Sequence, residues 1–238
     1  MNQLASTMAS PVRRIAPGRR ARPPGEDARE HLLDAATALL SARGVANTTI
    51  AQIAAAAGVT SAMVHYWFET RERLLDAVVD ERVARAIHEV WDAVDPAADA
   101  PLGQAQGIVK RMFDVTEQMP WLASLWLHEI VGEGGLLRGR ALKHVPRKTV
   151  EAFGRSIARG MARGELNARI DPQLLFTSIL ALVMLPQAAV KIWQRLRLPA
   201  SLARANLERH VNALLEHGLR GDAAVAVPTA RRQRRRAS

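Results

Sequence analysis

The sequence predicts an all-α fold: a small N-terminal unit of three short helices, followed by a larger helical block. Three observations predict it. Strand signals are nearly absent, with one Tyr and four Phe in 238 residues and no run of alternating β-branched and aromatic residues. Apolar residues recur instead at three- and four-residue spacing. The segments so marked are separated by Gly, Pro and residues suited to capping helices.

The first helix is expected over 26–43, with Leu32, Ala36, Leu39 and Leu40 on one face and Gly44 placed to end it in a left-handed conformation. Short helices follow at 50–57 and 61–68, then a longer one over 71–94. Pro96 to Pro101 is a break. The second block reads as helices over 102–119, 121–131, 136–164 (interrupted around Pro146), 172–197 and 202–218. Asp171 and Pro172 read as an N-cap and a proline at the first helical position, and Ser201 as a further cap. The organisation is thus a basic arm over 1–25, a helix-turn-helix unit over 26–75, a helical block over 76–219 and a basic tail over 220–238.

Composition narrows the classes. There is no cysteine, which excludes disulfides and thiolate metal sites, and the seven histidines are scattered, so neither metal nor cofactor is expected. The net charge of +10 resides mostly in the ends. Residues 1–25 carry five arginines and no acid, and 221–238 carry five arginines against Asp222, leaving a nearly neutral middle. Both ends are rich in Arg, Pro, Ala and Ser, which also suits disordered, solubilising tails. No apolar stretch follows the N-terminal arginines, so a cytoplasmic protein is expected. Leu174 to Val190 is seventeen residues without a charge, but Thr177, Ser178, Pro186 and Gln187 favour a buried helix over a membrane span.

The most specific signal lies in Thr48–Leu75. Thr49 and Gln52 have the spacing of a capping box that starts a short helix. Ile53 and Ala57 face inward from it, and the small Ala54 lets a second helix approach. Gly58 supplies the tight turn, Val59 anchors it, and Thr60 caps the next helix. There Val64, Trp67 and Phe68 form the inward side, while Ser61, Ala62, Met63, His65 and Tyr66 face outward. A generic helical hairpin would explain Ala54 and Gly58. It would not explain why the exposed face lacks Glu and Lys. A short exposed helix held by a small apolar core is the geometry that enters a major groove.

These residues resemble the tetracycline-repressor (TetR) family: Gly44, Thr48-Thr49-Ile50, Ile53-Ala54, Ala57-Gly58-Val59, Tyr66-Trp67-Phe68, Arg71-Glu72 and Leu74-Leu75. Further on, only the helical layout and the Gly164-Glu165-Leu166 to Asp171-Pro172 connection match. The resemblance implies phosphate contacts from Thr48 or Thr49, from Tyr66 and from Arg71, and base-edge contacts from Thr60, Ser61, Ala62, Met63 and His65. One departure is Ser61, where many members carry lysine. Residues 26–75 hold two more acids than arginines, which is poor for phosphate attraction. The basic arm, chiefly Arg19, Arg20 and Arg22, is expected to supply it by reaching the adjacent minor groove.

A single reading helix implies a homodimer on a palindromic, double-stranded DNA operator. The resemblance places the helices at 172–197 and 202–218 in the intersubunit bundle, with Ile179, Val183, Pro186, Val190, Val211, Leu214 and Leu215 at the interface. Phe176, Leu180 and Met184 fall toward the other side. With Met112, Phe113, Trp121, Trp126 and Phe153, the residues Phe176 and Met184 are candidate walls for a small-molecule effector pocket. The same residue types also make plain core. His128 and Glu129 could orient a ligand, but as neighbours on a helix they diverge.

The implied function is a ligand-responsive repressor released by a small apolar or aromatic effector. An enzyme is disfavoured, because no phosphate-binding Gly-rich loop, nucleophile elbow or His-Glu-x-x-His is present. The alternative is a sequence-independent DNA-binding protein that uses its arginine tails.

Overall fold

The computed structural model describes residues 26–220, apart from 93, 96, 97, 99 and 198–202. The arm with Arg19, Arg20 and Arg22, the 221–238 tail and the Ser201 cap therefore lie outside the described residues. No helix among those described is long and apolar enough to cross a membrane.

Helix α1 (Glu26–Arg43) buries Leu32, Leu33, Ala36 and Leu40 and ends at Gly44, whose φ is +79. Helix α2 (Ile50–Ala56) starts from a complete capping box, with Thr49 and Gln52 exchanging hydrogen bonds. Helix α3 (Ser61–Phe68) begins at Thr60, whose hydroxyl oxygen accepts from the Met63 amide. Gly58, at φ +67, makes the turn between them, a conformation open to glycine at little cost.

Helix α4 starts as Arg71–Val78, passes through a π-helical turn at Val79–Val83 and continues as Ala84–Trp91. The single unbroken helix expected over 71–94 is thus interrupted and shorter. The wider turn slips the register by one residue, and Val78, Val79 and Val83 are fully buried around it.

In the second block, α5 (Pro101–Gln118) is central. It packs against the end of α4, α8 (Arg147–Ala162), α9 (Leu175–Ala188) and α11 (Arg204–Leu219). Helix α6 (Leu122–Leu125) widens into a second π-helical turn, Trp126–Val131, and its first part packs on α1. The segment expected over 136–164 divides into α7 (Arg138–Ala141), a 3-10 turn at Leu142–His144 and α8, parted at Pro146. The 172–197 segment divides at Ala189 into α9 and α10 (Val190–Leu196). Pro186 lies inside α9 and has no amide to donate to the preceding turn. Among the described residues extended pairing is limited to an isolated bridge between Leu166 and Arg220.

Candidate nucleic-acid interface and effector cavity

The N-terminal unit holds α3 by two buried residues, Val64 and Phe68, and leaves its other side open. Ser61, Ala62, Met63, His65 and Tyr66 are exposed, Tyr66 by 74%. His65 Nδ1 is 2.9 Å from the Glu69 carbonyl, which can only accept, so Nδ1 is the donor there and Nε2 faces outward. The Thr60 hydroxyl serves as a cap and keeps its own proton to donate outward.

Two residues expected at the phosphates are committed elsewhere. Thr48 is 1% exposed and donates its hydroxyl to the Gly44 carbonyl, whereas Thr49 is exposed. The Arg71 guanidinium turns inward and donates to the carbonyls of Val45 and Thr48. It braces the α1–α2 loop rather than projecting to solvent. A free arginine at a helix start and one tied to a loop twenty-odd residues back look identical in sequence.

Electrostatics of this unit are largely internal. Arg29 donates to both carboxylate oxygens of Glu81, which holds that carboxyl below the usual carboxylate range and raises the guanidinium. Arg82 pairs with Glu30 and Asp34. Five charges, Arg29, Glu30 and Asp34 of α1 with Glu81 and Arg82 of α4, are thus spent joining the two helices.

The second block encloses a cavity of about 260 Å³. Ile87, Val90 and Trp91 of α4 line it together with Met112, Leu122 and Trp126 and with Phe176, Leu180 and Met184 of α9, and the Trp91 and Phe176 rings are in contact, 4.5 Å between centroids. The lining contains no ionisable residue. Four of the expected wall residues, Met112, Trp126, Phe176 and Met184, therefore meet there. Phe113 is buried in the core away from it, and Trp121 is half-buried outside it. Phe153 packs edge-on against Trp91 and lines a neighbouring groove that shares Val150 and Phe176 with the cavity. The α4 contribution was missed because Ile87, Val90 and Trp91 read equally well as ordinary core.

The model of bacterial regulatory proteins of the tetR family matches residues 32–78, and that of the tetracyclin repressor-like C-terminal domain matches residues 101–216. The chain belongs to the TetR family. Proteins of this family are transcription regulators rather than enzymes.

Among curated TetR-family relatives, TtgR of Pseudomonas putida is 30% identical over 101 residues, covering 40% of this chain and 46% of that protein. SrpR of Pseudomonas putida is 26% identical over 151 residues, covering 62% of this chain and 68% of that protein. BetI of Rhizobium meliloti is 27% identical over 99 residues, 42% of this chain and 48% of that one. The chain thus spans about half the length of most curated relatives it matches. Similar solved structures include the ketosteroid transcriptional regulator KstR2 of Mycobacterium tuberculosis, with TM-score 0.61, 18% identity and coverage of 82% of this chain and 95% of that one. A putative transcriptional regulator from Saccharomonospora viridis in complex with choline has TM-score 0.59, 20% identity and coverage of 83% and 100%. At these identities the likeness is one of fold.

The TetR-like layout corrects the expected interface. Ile179, Val183, Val211 and Leu215 are buried within the protomer, and Pro186 and Val190 are half-buried; Leu214 is 47% exposed. A helix with a core face and a cavity face has two apolar sides turned inward, and α9 spends Ile179 and Val183 on one, Phe176, Leu180 and Met184 on the other. Its third side carries Leu174 just before its start, then Ser178, Ala181 and Leu185, all exposed, and the stripe continues through Ile192 and Leu196 of α10. Glu129 is also not where it was expected: it is 6% exposed and turned toward the N-terminal unit, while His128 is exposed.

Proposed function

We propose that the protein is a ligand-responsive repressor that binds a palindromic operator as a homodimer and is released by a small, uncharged apolar or aromatic effector. The observation that carries the reading is the free face of α3: Ser61, Ala62, Met63, His65 and Tyr66 stand outward on a helix capped at both sides and anchored by Val64 and Phe68. Thr49, Tyr66 and the arm residues Arg19, Arg20 and Arg22 supply backbone contacts in this reading, and Thr60 to Met63 read base edges. The third side of α9 and α10, with Leu214 of α11, is the surface a second copy covers.

The cavity supports the effector. Its walls offer shape and apolar contact but no carboxylate to offset a buried cation, which favours a neutral compound over one such as the choline of the Saccharomonospora viridis structure. Helix α4 links the two sites, since its first turn braces the DNA-reading unit and its last turns wall the cavity. A ligand acts by favouring one separation of the two reading heads, and only to the extent of its differential affinity.

The test is a genome-wide selection of bound fragments followed by footprinting in excess competitor DNA. One discrete, two-fold symmetric protected site, lost in Tyr66→Ala and Ala62→Glu, supports the reading. Uniform protection would sink it in favour of arginine-driven, sequence-independent binding. Light scattering on wild type and Leu185→Glu checks the dimer: the variant should run as a monomer. A thermal-shift screen of neutral ring compounds, with saturable change in Trp emission, checks the cavity.

A further inference from the structure

We infer that Glu129 is a positioning residue that ties the cavity wall to the DNA-reading unit, by a route separate from α4. The inference rests on reading the cavity as the effector site. Glu129 belongs to the π-helical turn Trp126–Val131, whose first residue lines the cavity. Its carboxyl group crosses to the other unit, and Oε1 accepts from the Val45 amide at 2.7 Å. Oε2 accepts from the Leu136 amide at 3.0 Å, on the far side of its own loop. Both oxygens are therefore used as acceptors from backbone donors, in a site only 6% exposed.

The surroundings are built around this contact. Gly44, at φ +79, has no side chain where a Cβ would lie 3.1 Å from Oε1. Val45 is held from both sides, its amide by Glu129 and its carbonyl by Arg71. Arg138 donates to the carbonyls of Ile130, Val131 and Gly132, closing the end of the π-helical turn. A displacement of Trp126 by a bound molecule is carried to the loop before α2 by Glu129, three residues on in the same π-helical turn, in addition to the packing of α6 on α1.

Glutamine keeps the volume but replaces one oxygen with a donor, so it must oppose one of the two amides. The experiment is hydrogen–deuterium exchange on the full-length protein, comparing wild type, Glu129→Gln, Trp126→Ala and the double variant, with no effector present. In Glu129→Gln, residues 44–57 should exchange about tenfold faster, with 101–118 and 204–219 unchanged. Trp126→Ala alone should also speed 44–57, and should add less than about twofold once Glu129 is replaced, because the two act in series. Unchanged exchange at 44–57, a uniform rise across all helices, or effects that multiply in the double variant would each overturn the assignment. Because no effector is used, a failed compound screen and a failed tie are separate results.

Discussion

The N-terminal unit and the second block use the same helical material for opposite ends. In the first, Ile53, Ala54, Val64 and Phe68 close on one another beneath α3, and short capped helices hold one surface in place. In the second, longer helices stand around about 260 Å³ of space between Trp91, Met112, Trp126 and Phe176. A reading surface needs a fixed shape, whereas a sensor needs room whose filling changes the position of its walls. In the function proposed above, the packing of each region follows its task rather than its hydrophobicity.

The largest effect is expected from Phe68→Ala, which removes a 5% exposed anchor that also lies 5.1 Å beneath the Arg29 guanidinium. A loss of about 3–5 kcal/mol should appear in denaturant titration as an early transition of the N-terminal unit alone. A single transition displaced as a whole would show that the two regions melt as one body, and an unshifted one that Phe68 is not an anchor. Next comes a matched pair of enlargements. Ala54→Leu, in the tight unit, should cost about 1–3 kcal/mol, whereas Ala86→Leu, on the cavity wall, should cost less than about 1 kcal/mol. Equal costs measured by the same titration would mean that the space is not open to occupation.

Cap removal is smaller. Thr49→Ala and Thr60→Ala should each lower stability by about 1 kcal/mol and raise amide exchange within α2 and α3 respectively, leaving α5 unaffected. The smallest effect concerns the ion pairs that close each region. Hydrogen bonds from Lys110 and Arg204 lower the Asp114 carboxyl, and Arg29 lowers that of Glu81. A carboxyl lowered on folding contributes stability above its unfolded value near pH 4 (roughly), and loses it as the pH falls through the lowered folded value. Melting temperature should therefore drop on acidification through that window, less steeply in Glu81→Gln and Asp114→Asn. With exposures of about a third, each pair contributes no more than about 1 kcal/mol.

Much of the N-terminal unit was legible because its signals are local. Thr49 with Gln52, Gly58 and Thr60 act on backbone groups within three residues, and the outward set on α3 follows from the anchors Val64 and Phe68. Where the same reading went astray, the partner was remote in sequence. Arg71 faces inward because its acceptors, the carbonyls of Val45 and Thr48, stand in the α1–α2 loop far back in sequence, and the expected interface residues Ile179 and Val183 face a core whose position depends on α5 and α11. Three of the seven expected pocket residues, Phe113, Trp121 and Phe153, lie outside the cavity lining, because periodicity marks an apolar face without saying what stands opposite.

By itself the sequence determined the helical class, the capped helix-turn-helix and the family, since each depends on spacing within a few residues or on a compact motif. Only the tertiary structure decided which side of α9 is outward, where the cavity opens and that Glu129 reaches Val45 across eighty-four positions. The physical reason is range. Caps and turns are stabilised by neighbouring backbone groups, whereas a buried carboxyl or an open space exists only when separate helices have been brought together.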